Sequence, residues 1–336
     1  MLKLSARIEI TGEKKWVFEK ITACEIVSSV FEPSDFCKLT LPRKVKWQGE
    51  TSNPIRRGDK ISVWLGYDDN LQLAFSGYVR SVSVGSPCIL DCEDEFFLYH
   101  NPQDVEHAFN IACSPLHFLR SLGYNGNGID TSHIHDITNY EAGEVDGFLN
   151  SVYSGAKFIT KQSGCAVKFI YDEDSNSKYL IIFDSLEDNA ASTLVLSTGV
   201  NIISTKNLKF TAHEDSKAFV KCGSLESCYL VGSAPVYHEY QLGDDVPGAS
   251  RIIAKPEGWP ERSVKNFVEY YYEILTRGGL SGSIVTFGNS LINITDKVAV
   301  KLYGEKMGIY SIERIKIYFG SKGFRQEITL GIKLSD

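Results

Sequence analysis

Asp130, His133, His135 and Asp136 lie close together in one polar stretch, and histidine and carboxylate at that spacing can meet around a single cation. No further strong ligand and no group to orient the imidazoles can be named beside them, so the stretch reads as a solvated loop. Glu93, Asp94 and Glu95 could supply the paired carboxylates of glycoside hydrolysis. Neighbours on a strand point to opposite faces, however, and the run leads straight into the apolar Phe96-Phe97-Leu98. Asp172-Glu173-Asp174 has the look of a hairpin tip and lacks the D-x-D-x-D-G order of a calcium loop. Asn125-Gly126-Asn127-Gly128 is not a dinucleotide fingerprint; there is no G-K-[S/T] phosphate loop and no G-x-S-x-G nucleophile elbow. The eight cysteines, Cys24, Cys37, Cys88, Cys92, Cys113, Cys165, Cys222 and Cys228, are too sparse for a disulfide scaffold. Cys88 with Cys92 and Cys222 with Cys228 miss the C-x-x-C spacing of zinc sites, which leaves most of them as reduced core residues. No residue is therefore assigned a catalytic, cofactor-binding or metal role, and no cofactor is expected.

The elements that would position such groups are mainly strands. From Leu2 to about residue 100 apolar residues alternate, as in Leu4, Ala6, Ile8, Ile10 and in Ile61, Val63, Leu65, which puts them on one face of a strand. Turn chemistry at Thr11-Gly12, Glu32-Pro33-Ser34-Asp35, Arg57-Gly58-Asp59 and Tyr67-Asp68-Asp69-Asn70 separates the strands. Short strands so spaced suggest a barrel or sandwich. The period then changes. Ser114-Pro115 with Leu116, Leu119, Leu122 and Gly123 predicts a short capped helix. Val145, Phe148, Leu149, Val152, Tyr153, Ala156 and Ile159 predict a second helix over about 144–161. A hairpin, CAVKFIY and KYLIIFDSL around a polar tip, completes an α/β module over 101–190. Strands resume over 192–236, with Leu194, Leu196, Val200, Ile202, Leu208, Phe210 and Val220 as expected core. A polar stretch, 237–283, holds a helix from Ser263 to Thr276, marked by Val264, Phe267, Val268, Tyr271, Ile274 and Leu275. Tyr270-Tyr271-Tyr272 on it divide between core and a docking surface. From Ile284 onward the chain is β again.

The chain also repeats itself. Asp59-Lys60-Ile61-Ser62-Val63-Trp64-Leu65 matches Asp296-Lys297-Val298-Ala299-Val300-Lys301-Leu302 in chemistry and apolar phase. Val79, Val82 and Val84 then match Ile312, Ile315 and Ile317, across loops that differ by four residues. Ile89-Leu90-Asp91-Cys92 and Glu327-Ile328-Thr329-Leu330 close the two copies. Upstream, Ile26–Leu39 and Leu208–Val220 look like equivalent hairpins. The predicted fold class is α+β, mainly β: a first barrel over 1–100, an α/β insert over 101–190, a second barrel from 191–236 and 284–336, and a helix-bearing insertion over 237–283.

Composition narrows function. Over 336 residues, 43% apolar and 23% charged content describes ordered globular modules, and 35 basic against 42 acidic side chains, net −7, argue against a duplex-wrapping protein. No segment has the length and apolarity of a membrane-spanning helix, and MLKLSARIEITGEKKW does not read as a secretory leader, so the mature chain is expected to start inside the cell, with proteins as partners and no integral membrane association.

The order of β domain, α/β insert and second β domain, with GDKISVWLGY, FSGYVRSV and ILDCEDEFF in front and LSGSIVTFG, INITDKVAVKL, MGIYSIERIKIYFG and FRQEITLGIKL behind, resembles the tail baseplate hub proteins of contractile-tailed bacteriophages. Related trunks occur in Mu-like hubs, late-control tail proteins and type VI secretion spikes. Nothing after Asp336 is expected to supply a needle or lysozyme, so the resemblance implies a separate spike protein. It implies a non-enzymatic homotrimeric ring that adapts a hexameric tail tube to a trimeric central spike, in the virion tail baseplate, assembled in the bacterial host cytoplasm. The tape-measure protein and later DNA would pass through its lumen, which an acidic lining would ease. The rival reading is a carbohydrate-active enzyme or sugar-binding β module acting on cell-wall glycans, motivated by 12% aromatic content and the acidic clusters.

Overall fold

The alternation that opens the chain becomes strand β1 (Leu4–Thr11), whose Ala6, Ile8 and Ile10 are buried while Arg7 and Thr11 face outward. The computed structural model describes residues 3–43, 45, 47, 53–83, 85–101, 115–124, 129–130, 151–163, 165–172, 177–184, 193–212, 216–226, 236–255, 261–289 and 292–335. These form two compact units, each assembled from distant parts of the chain.

The first unit spans 1–98, 190–208 and 282–331 and is almost entirely strand. After β1 come β2 (Lys15–Phe18), β3 (Ala23–Ser29), β4 (Glu32–Thr40), β5 (Lys60–Tyr67), β6 (Asn70–Val82) and β7 (Ile89–Glu93). The later segments supply β11 (Thr193–Ser197), β12 (Ile202–Thr211), β16 (Gly279–Phe287), β17 (Lys297–Leu302), β18 (Glu305–Gly320) and β19 (Gly323–Ser335). All belong to one 13-stranded sheet in the order β12-β16-β19-β18-β3-β4-β7-β6-β5-β1-β2, with β17 laid on β18 and β11 on β17. Its core rows include Ile8, Ile61, Val63, Leu39, Val79 and Leu90 in one half and Val298, Tyr310, Ile312, Ile317 and Ile328 in the other. Each such side chain removed from water contributes about 1.5–3 kcal/mol.

The two halves expected as two related β-barrel domains share one continuous sheet. Among the described residues the ladders trace an open path and no closed barrel. The halves join because β18 is long: it pairs with β17 through Ser311 and with β3 from Arg314, so Tyr318 faces Glu25 and Ile317 faces Ile26. Tyr67, at the end of β5, completes the join by donating its hydroxyl to Phe324 O at 2.7 Å, with the two rings 5.4 Å apart. The expected turn at Glu32–Asp35 is also displaced. The chain reverses at Val30-Phe31, where β3 and β4 slip register between Val27 and Ser29, and Pro33 lies within β4 near this irregularity, where a proline is tolerated.

The second unit spans 99–189, 209–281 and 332–336. One part holds α1 (Pro115–Ser121), the short β8 (Ile129–Asp130), α2 (Val152–Ser163), β9 (Cys165–Asp172) and β10 (Ser177–Asp184), with strand order β8-β10-β9. Val152, Ala156 and Ile159 are buried as the periodicity predicts, while the proposed first half of that helix, 144–150, lies outside the described residues. Gly155 lets α2 approach α1: a β-carbon there would fall 2.3 Å from Leu122 Cδ1. The other part is a sheet β14-β13-β15, of β13 (Ala218–Glu226), β14 (Val236–Leu242) and β15 (Ser250–Ala254), covered on one face by α3 (Glu261–Thr276). Val220, Cys222, Val264 and Val268 form its buried centre.

The expected hairpin Leu208–Val220 does not form. β12 pairs with β16, and β13 belongs to the other unit's three-stranded sheet. A hairpin between neighbouring strands is a local default, and here the insertion between β12 and β16 displaces it.

Candidate assembly interface

The Asp-Lys repeat has a shared local cause. Arg56 N donates to Asp59 Oδ2 at 2.9 Å while Asp59 N donates to Arg56 O at 3.3 Å. Asn293 N donates to Asp296 Oδ2 at 2.8 Å while Asp296 N donates to Asn293 O at 3.1 Å. Each aspartate thus closes a four-residue turn and launches a strand, an arrangement that its short acceptor side chain favours. The strands launched are equivalent in detail. β5 and β6 slip register after Val63, four residues beyond Asp59; β17 and β18 slip after Val300, four beyond Asp296. Both hairpins end in two-residue turns with positive φ at both positions, Asp68 and Asp69 at 50° and 64°, Tyr303 and Gly304 at 53° and 92°. Primed turns of this kind match the twist of paired strands. The strand paths agree too: β5-β6-β7-β4-β3 in the first copy corresponds to β17-β18-β19-β16-β12 in the second.

Two copies so related meet inside the chain edge to edge, through β3 of the first and β18 of the second. The equivalent edges are left over. β12, the counterpart of β3, ends the sheet with β16 as its one neighbour in the strand order, and its Ile203 and Phe210 are 41% and 60% exposed. β6, the counterpart of β18, has beside its last residues a cavity of about 480 Å³ lined by Val82, Ser83, Arg43, Trp47 and Ile55, among others. Val200 and Phe210, expected in the core, are exposed at 77% and 60% because they lie in a turn and on this edge strand; Leu196 and Val220 are buried as expected.

The face of β3, β4, β7 and β6 that carries Glu25, Lys38, Asp91 and Ser81 has charges of both signs. Lys316 Nζ lies 2.6 Å from Glu25 Oε1, and Ser81 Oγ donates to Asp91 Oδ2 at 2.9 Å. The Glu25 carboxylate raises the Lys316 ammonium above its ordinary pKa by accepting its hydrogen bond. A hollow of about 320 Å³ there is lined in part by Glu25, Phe36, Lys38, Arg80 and Asp91, so this face is mixed in charge.

The acidic run is absorbed by the fold. Glu93 is 1% exposed, accepts the Ser34 hydroxyl at 2.6 Å and lies 4.0 Å from Arg80 Nη1. Asp94 is 3% exposed; one carboxylate oxygen accepts Phe96 N and the other Asp35 N, each at 3.0 Å, so it caps the 3₁₀ turn Glu95–Tyr99 and ties it to β4. Carboxylates buried and bonded in this way are anchors for the end of β7. Cys24 and Cys37 bring their sulfurs within 3.6 Å in the core, and Cys37 pairs across the ladder with Cys92. The bond from Cys24, then burial, push the Cys37 thiol well above its ordinary pKa; burial does the same for Cys92 and raises Cys222 to about 11. Cys165 and Cys222 are also buried.

Of the other candidates, Tyr271 and Tyr272 pack against the Val220 cluster, and burial raises the Tyr271 hydroxyl pKa. Asp130 ends β8; His133, His135 and Asp136 lie outside the described residues, as do 125–128, Glu173, Asp174, Cys113 and Cys228. The sequence reading passed over Tyr303-Gly304, although a residue followed by glycine between two alternating runs is a hairpin signal.

No family model matches the sequence, and a search of curated proteins finds no match. Solved structures do match. A tail protein from Neisseria meningitidis MC58 superposes with a TM-score of 0.64 at 12% identity, over 98% of this chain and 96% of that one. The 43 kDa tail protein of prophage MuSo2 from Shewanella oneidensis gives 0.63 at 14%, over 98% of each chain. An Escherichia coli component of the type VI secretion system, described as structurally similar to two bacteriophage T4 tail proteins, gives 0.56 at 10%, over 97% of this chain and 76% of that one. The chain has the fold of phage tail, prophage tail and type VI secretion spike-related proteins.

Proposed function

We propose that the chain is a non-enzymatic tail baseplate hub, acting as a homotrimeric ring that adapts a hexameric tail tube to a separate trimeric central spike. The observation that carries this reading is the internal contact of β3 with β18 between two equivalent copies. In the first copy, the stretch equivalent to Arg314 onward begins at Ser81, two residues past Val79 as Arg314 is two past Ile312. β12 of one molecule can therefore begin, on Ser81 and Val82 of β6 of the next, the kind of contact that β3 makes on β18 within the chain. Such a head-to-tail contact closes into a ring if its rotation closes. Three chains then present six similar copies, a barrel-like wall that fits a six-fold tube on one side and a three-fold spike on the other. Exposed apolar side chains on β12, which among the described residues has β16 on one edge and no strand on the other, support this reading, because an edge left open invites another chain.

The tail folds to which the chain is similar support a virion tail location and tail proteins as partners, with the tape-measure segment and DNA only in transit. A ring closed with the Lys38 face inward would have a lumen of mixed charge rather than an acidic one. The glycan-hydrolysing reading loses the Glu93–Asp94 pair, which is committed to Ser34, Asp35 and Phe96.

Light scattering on the purified chain tests the ring. Three chain masses are expected, and Ile203→Glu on the β12 edge should give a folded species of one chain mass. A monomer at high concentration, or a trimer indifferent to Ile203→Glu, would overturn the edge-paired ring.

A further inference from the structure

The link that leads into each launching aspartate differs between the two copies. It runs over residues 41–58 in the first and only over 288–295 in the second. The part next to the aspartate is shared, since Ile55 and Ile292, each four residues before it, are both buried. The excess therefore lies upstream of Ile55, and its sequence, PRKVKWQGETSN over 42–53, holds three cations against one acid. The second copy closes its hairpin without such a stretch, so the hairpin does not require it. What the longer link builds is the cavity of about 480 Å³ beside the end of β6. Trp47, Ile55 and Val82 give it apolar walls, Arg43 and Arg56 bring two guanidiniums, and no carboxylate is among its described lining residues. Where Cys88 lines this cavity, the equivalent position of the second copy holds the fully buried Gln326. The frame of the cavity is fixed. Arg56 Nη1 donates to Asn53 O at 2.6 Å and to Ile55 O at 3.2 Å, while Asn53 accepts Ile55 N at 3.0 Å and donates to Cys88 Sγ at 3.3 Å. Trp47 stands edge-on to Trp16 and Phe18, with ring centroids 5.5 and 5.8 Å away. Arg7, Arg251 and Arg277 each hold a carboxylate, but among the described residues neither Arg43 nor Arg56 has one.

We propose that this cavity binds an extended segment of a partner protein in which an aspartate or glutamate neighbours a large aliphatic side chain. The proposal goes beyond the ring and does not rest on it. In a chain of net charge −7, two guanidiniums with no carboxylate beside them make a local positive site, and a guanidinium fork meets a carboxylate through two parallel hydrogen bonds. The apolar walls add a second demand, an aliphatic side chain to bury next to the anion, which inorganic phosphate and a nucleic-acid backbone do not meet. A guanidinium already held at one nitrogen, as in Arg56, loses little freedom when a ligand arrives.

The test uses the full chain and the capped peptide Gly-Leu-Glu-Ile-Asp-Gly, with the capped peptide Gly-Leu-Gln-Ile-Asn-Gly as its uncharged counterpart, in titration calorimetry at low salt. The acidic peptide should bind with a Kd of about 1 mM or tighter, and the amide peptide about ten-fold more weakly or worse. Arg43 is exposed and its side chain makes no hydrogen bond to the described residues, so Arg43→Gln should keep the thermal midpoint and weaken acidic-peptide binding by about ten-fold. Arg56→Lys keeps the charge and loses the fork, and should weaken it by about five-fold. Added salt should weaken binding to the wild-type chain. Equal binding of the two peptides, an affinity indifferent to Arg43→Gln and Arg56→Lys alike, or no heat from the acidic peptide would each overturn the site. So would tighter binding of inorganic phosphate, or of single-stranded DNA, than of the acidic peptide. A wild-type chain of one chain mass in light scattering would overturn the ring and leave this site standing.

Discussion

Asp296→Ala and Asp59→Ala remove the same carboxylate from the same turn in two surroundings, so the difference between their effects reports those surroundings, burial first among them. Asp296 is 7% exposed and its carboxylate accepts Asn293 N at 2.8 Å. Truncating it strips a charged acceptor from a buried turn, a loss of about 1.5–3 kcal/mol. Asp59 is half-buried and accepts Arg56 N at 2.9 Å; when its carboxylate goes, water can reach Arg56 N, which is exposed, and the cost should be about 0.5–1.5 kcal/mol. The predicted gap of about 1 kcal/mol is a five-fold change in an opening equilibrium. Urea unfolding followed by tyrosine and tryptophan emission gives the global cost, and hydrogen exchange gives the local one: Asn293 N–H should exchange faster in Asp296→Ala, and Arg56 N–H in Asp59→Ala. Asp296→Asn keeps an acceptor oxygen and should recover more than half of the loss. If Asp59→Ala proves as costly as Asp296→Ala, burial does not set the difference, and if neither amide changes its exchange rate, the two turns are not the shared device described above.

Gln326 is fully buried on β19 and its amide oxygen and nitrogen find no hydrogen-bond partner among the described residues, so the volume-conserving Gln326→Met should raise stability by about 2 kcal/mol; a fall in the urea midpoint would contradict this. Burial raises the Glu313 carboxyl above 4.5, with Arg314 opposing. The folded state therefore binds this proton more tightly than the unfolded one, and stability present below about pH 4.5 is lost as pH rises through the raised value. Glu313→Gln should accordingly stabilise at pH 7 and give no advantage at pH 4, which paired denaturation curves at the two pH values will show. Cys37 and Cys92 should resist iodoacetamide at pH 8 in the native chain and react once it is unfolded, because buried thiols of raised pKa hold little thiolate; native-state alkylation of Cys37, read by peptide mass spectrometry, would contradict that burial.

Much of the fold was legible in windows of about ten residues. Alternation placed β1, β5 and β17, and three- and four-residue steps placed α3 and the second half of the helix before Ser163. The Asp59 and Asp296 matches pointed to two equivalent copies because turn closure needs that short carboxylate at that position. Local pattern failed where burial depends on neighbours remote in sequence. Val200 and Phe210 look like core residues by type and phase, but among the described residues one stands exposed in a turn and the other on the last strand of the sheet. Leu208–Val220 looks like a hairpin, but β12 takes its partner from beyond the insertion.

The amino-acid order by itself thus determined most of the strands, several of the turns between them and the matching Asp59 and Asp296 segments, since these follow from side-chain period and backbone preference. Tertiary structure alone decided that β3 lies against β18, that β12 is left at an edge, and that Glu93 is an anchor rather than an acid. Strand pairing is made by the N–H and C=O groups that nearly every residue carries, so the choice of partner is written in no side chain and is settled only when packing brings one free edge to another.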